Sequence, residues 1–195
     1  MKGCHPTLCL LALLLPVFTA RAEPSAERIY AQVAEIATGL SEMPERHMRE
    51  QPTPVGSVET ILLAGSGKRI EVRVSTTDVP GAAKAFTSEA YRLKKARETI
   101  LAEARGAITA WKPLVINGHE GRLLRYESEP YGAVGQAWLW IEDGDICMIN
   151  AFCERGETEF LAAFFAGLER DVFFASTEPG VGATASRPQS RRAGR

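Results

Sequence analysis

The sequence contains no apolar run long enough to form a membrane-spanning helix. Its longest run extends from Leu8 to Phe18 and is interrupted by Pro16, whereas a transmembrane helix needs about 20 apolar residues. Histidine is scarce, with three in 195 residues, and neither a His-Glu-x-x-His nor a Gly-x-Ser-x-Gly motif occurs. The sequence therefore lacks the motif of zinc metalloproteases and the nucleophile-elbow motif of serine hydrolases. We therefore expect no catalytic residue, no metal site and no cofactor.

An excess of basic residues is also missing. The chain has 23 Lys and Arg against 24 Asp and Glu. Four of the arginines follow residue 186, so the preceding part of the chain is acidic. Because nucleic-acid binding requires a basic surface, we expect no nucleic-acid partner.

Cysteine is rare, and only Cys147 and Cys153 lie outside the N-terminal apolar region. Both fall in Asp145–Cys153, which has the pattern of a single strand. Residues six apart on a strand are about 20 Å apart, whereas a disulfide needs Cα atoms within about 7 Å. We predict two buried free thiols, unless the strand breaks near Asn150; their oxidation state stays open.

The N-terminus has the order of a secretory signal peptide. Lys2 precedes the apolar run Leu8–Phe18, and Ala20-Arg21-Ala22 supplies small residues at a cleavage site before Glu23. We predict a signal peptide over residues 1–22 that is cleaved after Ala22. The mature protein is then exported, and a periplasmic location is expected.

The remaining chain divides into a domain and a tail. Residues 23–175 have the length and composition of one domain with its own core. Residues 176–195 are rich in Gly, Ala, Ser, Pro and Arg and contain no aromatic residue. Such a segment buries too little surface to offset its ordering entropy, so we predict a disordered basic tail.

Hydrophobic periodicity predicts an α+β domain with an antiparallel sheet of about six strands and helices packed on it. Asn117-Gly118 and Asp143-Gly144 are typical of tight hairpin turns. The predicted helices are Ser25–Leu40, Gly81–Arg105 and Glu157–Phe173. The predicted strands are Val58–Ala64, Arg69–Ser75, Trp111–Ile116, Gly121–Ser128, Gln136–Glu142 and Asp145–Cys153.

Three side chains in the C-terminal half are candidates for binding. His119 lies in a turn beside Glu120, where it could act in binding or simply provide turn polarity; as strand neighbours the two would point to opposite faces. Trp138 and Trp140 share one strand face. They could fill the core, or they could form an exposed aromatic pair suited to a protein interface.

The loop Glu129–Gly135 provides the fourth candidate, Tyr131. Loops on a rigid sheet often carry binding residues, and Tyr is enriched at interface hot spots. We predict that a partner contacts Tyr131 and its loop rather than the basic face of the long helix around Lys94 and Lys95. The alternative is that Tyr131 packs over the sheet edge.

The run Asn117–Tyr126 resembles the hairpin of the PsbP-like fold. A Gly-containing loop, two strands around a tight Gly turn and an apolar C-terminal helix follow it, as in that fold. The resemblance covers about residues 57–174, and the N-terminal helix departs from it. The fold is shared by the extrinsic oxygen-evolving protein of photosystem II, the Ran-release factor and DcrB-type bacterial periplasmic proteins. The resemblance implies an adaptor, chaperone or assembly factor, with no catalytic residue to transfer.

The same stretch is similar to periplasmic immunity proteins that neutralise type VI lipase effectors. The shared features are Gly118–Gly121, Gly132–Gly135 and Trp138–Trp140. We therefore expect an exported, non-enzymatic protein-binding domain, such as an envelope adaptor or assembly factor. The alternatives are an immunity protein and a small hydrolase or redox enzyme that uses His119 or the cysteines. The identity of the partner and the oligomeric state stay open.

Overall fold

The computed structural model describes residues 26–38, 45–53, 56–64 and 70–171. For residues 38, 45–53 and 56–64 it describes the backbone, and within these ranges it describes the side chain of Val58 alone. The predicted signal peptide, the helix cap at Ser25 and the predicted basic tail lie outside the described residues.

The fold is α+β, and its antiparallel sheet has seven strands within the described ranges. The spatial order is β1-β2-β3-β7-β6-β5-β4. The strands are β1 Glu45–Thr53, β2 Gly56–Ala64, β3 Ile70–Thr77, β4 Ala107–Ile116, β5 His119–Ser128, β6 Ala133–Glu142 and β7 Asp145–Glu154.

The expected number of about six strands is not confirmed, because β1 is an additional strand. The segment Gln51–Gly56 contains two prolines, which is typical of a linker, yet Gln51–Thr53 pairs with β2 as the end of β1. The sequence of β1 is polar and shows no alternation of apolar residues, and it contains Pro52. An edge strand tolerates both features, because one side of its backbone needs no partner strand.

Two short turns organise the C-terminal hairpins as predicted. Asn117 and Gly118 have φ values of 50° and 77°, and Asp143 and Gly144 have 51° and 87°. Positive φ at both central residues is the requirement of a type I′ turn. From β4 to β7 the chain therefore folds as successive hairpins, and β7 then pairs with β3.

Helices cover both faces of the sheet. One core lies between the sheet and two helices, α1 Ala26–Thr38 and α4 Thr158–Arg170. The predicted helices Ser25–Leu40 and Glu157–Phe173 correspond to these two. In α4 the inward side chains include Phe164 and Phe165, and the Phe165 ring lies 5.5 Å from the Trp138 ring.

The second core lies under α3, Glu89–Ala104. We expected one helix over Gly81–Arg105, and this is wrong. The helix is broken into α2 Gly81–Phe86 and α3 by an extended Thr87 and Ser88. The Ser88 side chain accepts a hydrogen bond from the Tyr91 N–H at 3.2 Å, as serine does at helix starts.

The break also changes the position of Phe86. A continuous helix would place Phe86 on its apolar stripe, yet Phe86 is 88% exposed. The Arg92 guanidinium fills the junction and donates to the carbonyl oxygen of Thr87 at 2.9 Å. The junction is therefore held by polar contacts rather than by the aromatic ring.

Candidate functional site

A pocket of about 310 Å³ opens on the α3 side of the sheet, between the end of α3 and the loop that joins β5 to β6. We call it the Tyr131 pocket, because Tyr131 lines it and is 53% exposed. Its lining residues are Arg73, Ile100, Glu103, Ala104, Tyr126, Ser128, Tyr131, Ala133, Asn150 and Phe152.

The loop that carries Tyr131 is tied to the body of the domain. Gly132 has a φ of 57°, and its N–H donates to the carbonyl oxygen of Glu129 at 3.1 Å. The Arg155 N–H donates to the Gly132 carbonyl oxygen at 3.1 Å, and the Arg155 guanidinium pairs with Glu129. These bonds fix the loop against the end of β7, so Tyr131 has a defined backbone position.

Tyr126 is a buried polar group of the pocket. Its hydroxyl donates to Oδ1 of Asn150 at 3.0 Å. Burial raises the pKa of Tyr126 to about 12. The phenol therefore stays protonated at neutral pH.

The position of the Tyr126 ring depends on a glycine in the neighbouring strand. Tyr126 and Gly135 are cross-strand partners. A Cβ atom on Gly135 would lie 2.2 Å from Cζ of Tyr126, so the ring occupies the space that a side chain would need.

Asn150 lies on β7 with 5% of its surface exposed. Its Oδ1 accepts the Tyr126 hydrogen bond. Among the described residues, no hydrogen bond involves its side-chain nitrogen, and this atom is not among the fully buried unsatisfied ones. Since Asn150 lines the pocket, its amide nitrogen is a donor available to a ligand.

The charged side chains of the pocket form one cluster, in which Arg73 pairs with two carboxylates and one net negative charge remains. The Arg73 guanidinium pairs with Glu71 and lies 3.0 Å from a carboxylate oxygen of Glu103. It also lies over the Phe152 ring, 5.5 Å from its centroid. Burial opposes the charged form of Arg73, but Glu71 and Glu103 outweigh it and raise the pKa of Arg73 above its ordinary value.

Of the four predicted binding residues, Tyr131 alone lines this pocket. His119 is the half-exposed first residue of β5 and pairs with Ile116 across the turn. Trp138 and Trp140 are buried in the core under α1 and α4. Their burial assigns both tryptophans to the core, so Trp138 and Trp140 do not form an exposed aromatic pair.

The two thiols are free and buried, as predicted. Both side chains lie on β7 and point into the core under α1 and α4. Burial raises the pKa of Cys153 to about 11 and raises that of Cys147 further. Because a thiolate is the reactive form, both cysteines are poor nucleophiles at neutral pH.

The described residues contain neither a metal-binding cluster nor a membrane-spanning helix. Within the described ranges, no group of three or more His, Cys, Asp or Glu residues could hold a metal ion. No described helix combines the length and apolar character that a membrane span requires.

Sequence reasoning missed most of the polar groups in the pocket. Arg73 and Asn150 face each other across β3 and β7, which are far apart in the chain. Asn150 was noted only as a point where the strand could break. A polar residue within an otherwise apolar strand was the available signal, and β7 continues through it without interruption.

Comparison with known proteins gives a likeness of fold. No protein-family model and no curated protein matches the chain. Among solved structures, it is similar to cyanobacterial PsbP from Synechocystis sp. PCC 6803, with 7% identity, a TM-score of 0.41 and coverage of 65% of this chain and 91% of the other. It is also similar to a Pseudomonas aeruginosa protein of unknown function suggested to be a regulator, with 14% identity, a TM-score of 0.41 and coverage of 65% and 96%. Both likenesses concern the fold alone.

Proposed function

We propose that this chain is an exported, non-enzymatic protein-binding domain whose partner docks at the Tyr131 pocket. The observation that carries the proposal is a half-exposed tyrosine, held by a fixed loop, beside an open pocket with apolar walls. Tyrosine offers a large contact area at a low cost in conformational entropy, and such residues are enriched at interface hot spots.

The chemistry of the pocket favours binding over catalysis. Arg73 pairs with Glu71 and Glu103, and Tyr126 keeps its proton at neutral pH because its pKa is about 12. A general base that works at neutral pH needs a pKa near the working pH. The pocket's polar groups are instead suited to recognising a ligand by hydrogen bonds.

The N-terminal sequence supports export. The order of positive, apolar and small residues that ends at Ala22 is that of a secretory signal. The partner is then a protein of the same compartment, and the natural source for isolating it is an envelope extract.

The test is the affinity of the partner for two single-site variants. Proteins retained by the wild-type domain from an envelope extract are identified, and the dissociation constant of the tightest one is measured with purified components. Tyr131→Ala should weaken binding by more than about 1 kcal/mol, which is about fivefold in Kd. Its melting temperature should stay close to that of the wild type.

Phe86→Ala is the matched control, because Phe86 is also a strongly exposed aromatic side chain and does not line the pocket. It should leave the Kd unchanged. Equal affinities for wild type and Tyr131→Ala, or a loss that follows only from unfolding, would contradict the proposal.

A further inference from the structure

The Tyr131 pocket contains a polar group with an unused hydrogen-bonding atom. Asn150 is 5% exposed, and its Oδ1 already accepts from the Tyr126 hydroxyl. Among the described residues, its nitrogen makes no hydrogen bond. Since Asn150 lines the pocket and its nitrogen is not fully enclosed by the protein, this donor marks the place where a ligand acceptor would bind.

The charges in the pocket favour a neutral ligand. A ligand carboxylate would approach Arg73 only beside Glu103, which already lies 3.0 Å from the guanidinium. Together Arg73, Glu71 and Glu103 carry one net negative charge, which repels an anion. A cation offers no acceptor to the Asn150 amide nitrogen and would have to compete with Arg73 for Glu103, whereas a neutral ligand with an acceptor oxygen meets neither obstacle.

The size and walls of the pocket fit one aromatic ring. A volume of about 310 Å³ is at the small end of ligand sites, which span about 300–1,000 Å³. Aliphatic walls come from Ile100 and Ala104, and aromatic walls come from Tyr126, Tyr131 and Phe152. Aromatic rings pack favourably against one another in tilted or offset geometries.

We propose that the Tyr131 pocket receives the side chain of a tyrosine from the partner protein. The ring packs between the apolar walls, and its hydroxyl oxygen accepts a hydrogen bond from the Asn150 amide nitrogen. Tyrosine combines an apolar body with one neutral polar tip, which matches apolar walls around a single free donor. This assignment rests on the proposed function and names the group that the partner inserts.

The direct test uses p-cresol, the isolated side chain of tyrosine, as the probe. It is titrated into the protein while the side-chain amide resonances of Asn150 and the backbone amide of Tyr131 are followed by NMR. Toluene has the same ring without the hydroxyl, and phenylacetate carries a negative charge. We expect p-cresol to shift both resonances and to bind at least about tenfold more tightly than toluene or phenylacetate, since a site built for a hydroxyl rejects analogues that lack it.

Two variants test whether p-cresol binds in the Tyr131 pocket and contacts Asn150. Ala133→Leu adds a larger side chain to the pocket lining without removing a buried hydrogen bond, and it should abolish p-cresol binding. Asn150→Ala should remove the difference between p-cresol and toluene. If Asn150→Ala does not fold, the tyrosine assignment is still tested by the Ala133→Leu variant and by the comparison of p-cresol with toluene and phenylacetate. Absence of p-cresol binding, equal affinity for toluene, or tighter binding of phenylacetate would overturn the assignment.

Competition distinguishes this assignment from the proposed function. p-Cresol should displace the partner protein, and a Tyr→Phe change at the inserted residue of the partner should weaken the complex by about fivefold or more. If Tyr131→Ala weakens partner binding but p-cresol does not bind, protein binding stands and the tyrosine assignment fails. If p-cresol binds without displacing the partner, the site serves a free phenol and the partner-tyrosine assignment fails.

Discussion

Position 135 requires glycine because the Tyr126 ring on the neighbouring strand lies over it. The ring of Tyr126 occupies the position where a side chain at residue 135 would begin, 2.2 Å from Cζ. The two residues are directly opposite in the sheet, and such cross-strand pairs are the unit of sheet stabilisation. The glycine therefore allows the ring to lie over the strand and to reach Asn150 with its hydroxyl.

Gly135→Ala should destabilise the domain by about 1–3 kcal/mol, the usual cost of overpacking a filled site. The measurement is the free energy of unfolding from urea denaturation. Gly156→Ala is the control, because a Cβ there meets nothing within 4 Å and φ is not positive. Equal stabilities for the two variants would show that the Tyr126 ring moves aside without cost.

Single residues were only partly predictable from the sequence. Tyr131 could be proposed from its loop, and Cys147 and Cys153 could be placed in the core from strand geometry. The pairing of Tyr126 with Asn150 could not be predicted, because it joins two strands through a side-chain contact rather than through a local pattern.

At the scale of elements, the break between α2 and α3 depends on capping. Ser88 lies before the first turn of α3, and its hydroxyl oxygen accepts from the Tyr91 N–H at 3.2 Å. Thr87 has an extended backbone and ends α2. The periodic apolar pattern gave no indication of this break, since Ala82, Phe86 and Ala90 keep a four-residue spacing through it in the sequence.

Ser88→Ala should cost about 1 kcal/mol of unfolding free energy, because an N-cap is lost and one N–H of the first turn is left without a partner. Thr99→Ala on the same helix is the control, since its hydroxyl donates to the Lys95 carbonyl oxygen within the exposed part of the helix. This change should be close to neutral in thermal unfolding. An equal effect of the two substitutions would contradict the capping role of Ser88.

The strands were predictable where one of two signals was present. β3 alternates apolar and charged residues, and the hairpins from β4 to β7 carry Asn-Gly and Asp-Gly turns. β1 has neither signal. It is recognised as a strand by its pairing with β2, which is a property of the folded sheet.

For the whole molecule, burial of ionisable groups sets the response to alkaline pH. The pKa of Tyr126 is raised by burial from 10.0 to about 12, and that of Cys153 from 9.0 to about 11. The folded state therefore holds these protons more tightly than the unfolded chain does. Their contribution to stability is complete below the unfolded pKa values and is lost as the pH rises through the folded ones.

The free energy of unfolding should consequently fall between about pH 9 and pH 12. Tyr126→Phe removes the phenol, so the decline above pH 10 should be shallower in this variant than in the wild type. Denaturation curves at a series of pH values measure both slopes. Parallel slopes for the two proteins would show that Tyr126 does not contribute to the alkaline transition.

The topology of the sheet creates the site from separated parts of the chain. β3 is followed by α2 and α3, and the chain returns through successive hairpins until β7 pairs with β3. This return brings Arg73 beside Asn150 and places both under the end of α3. Local sequence patterns predicted many of the elements, but the assembly of the pocket depends on this long-range pairing.

Photo-crosslinking at the pocket tests the central claim most directly. Benzoylphenylalanine is placed at position 131 in one protein and at position 86 in another, and each is irradiated in living cells. We predict one discrete adduct with a partner protein from position 131 and none from position 86. No adduct from position 131, or the same adduct with equal yield from both positions, would contradict the claim that the partner docks at the Tyr131 pocket.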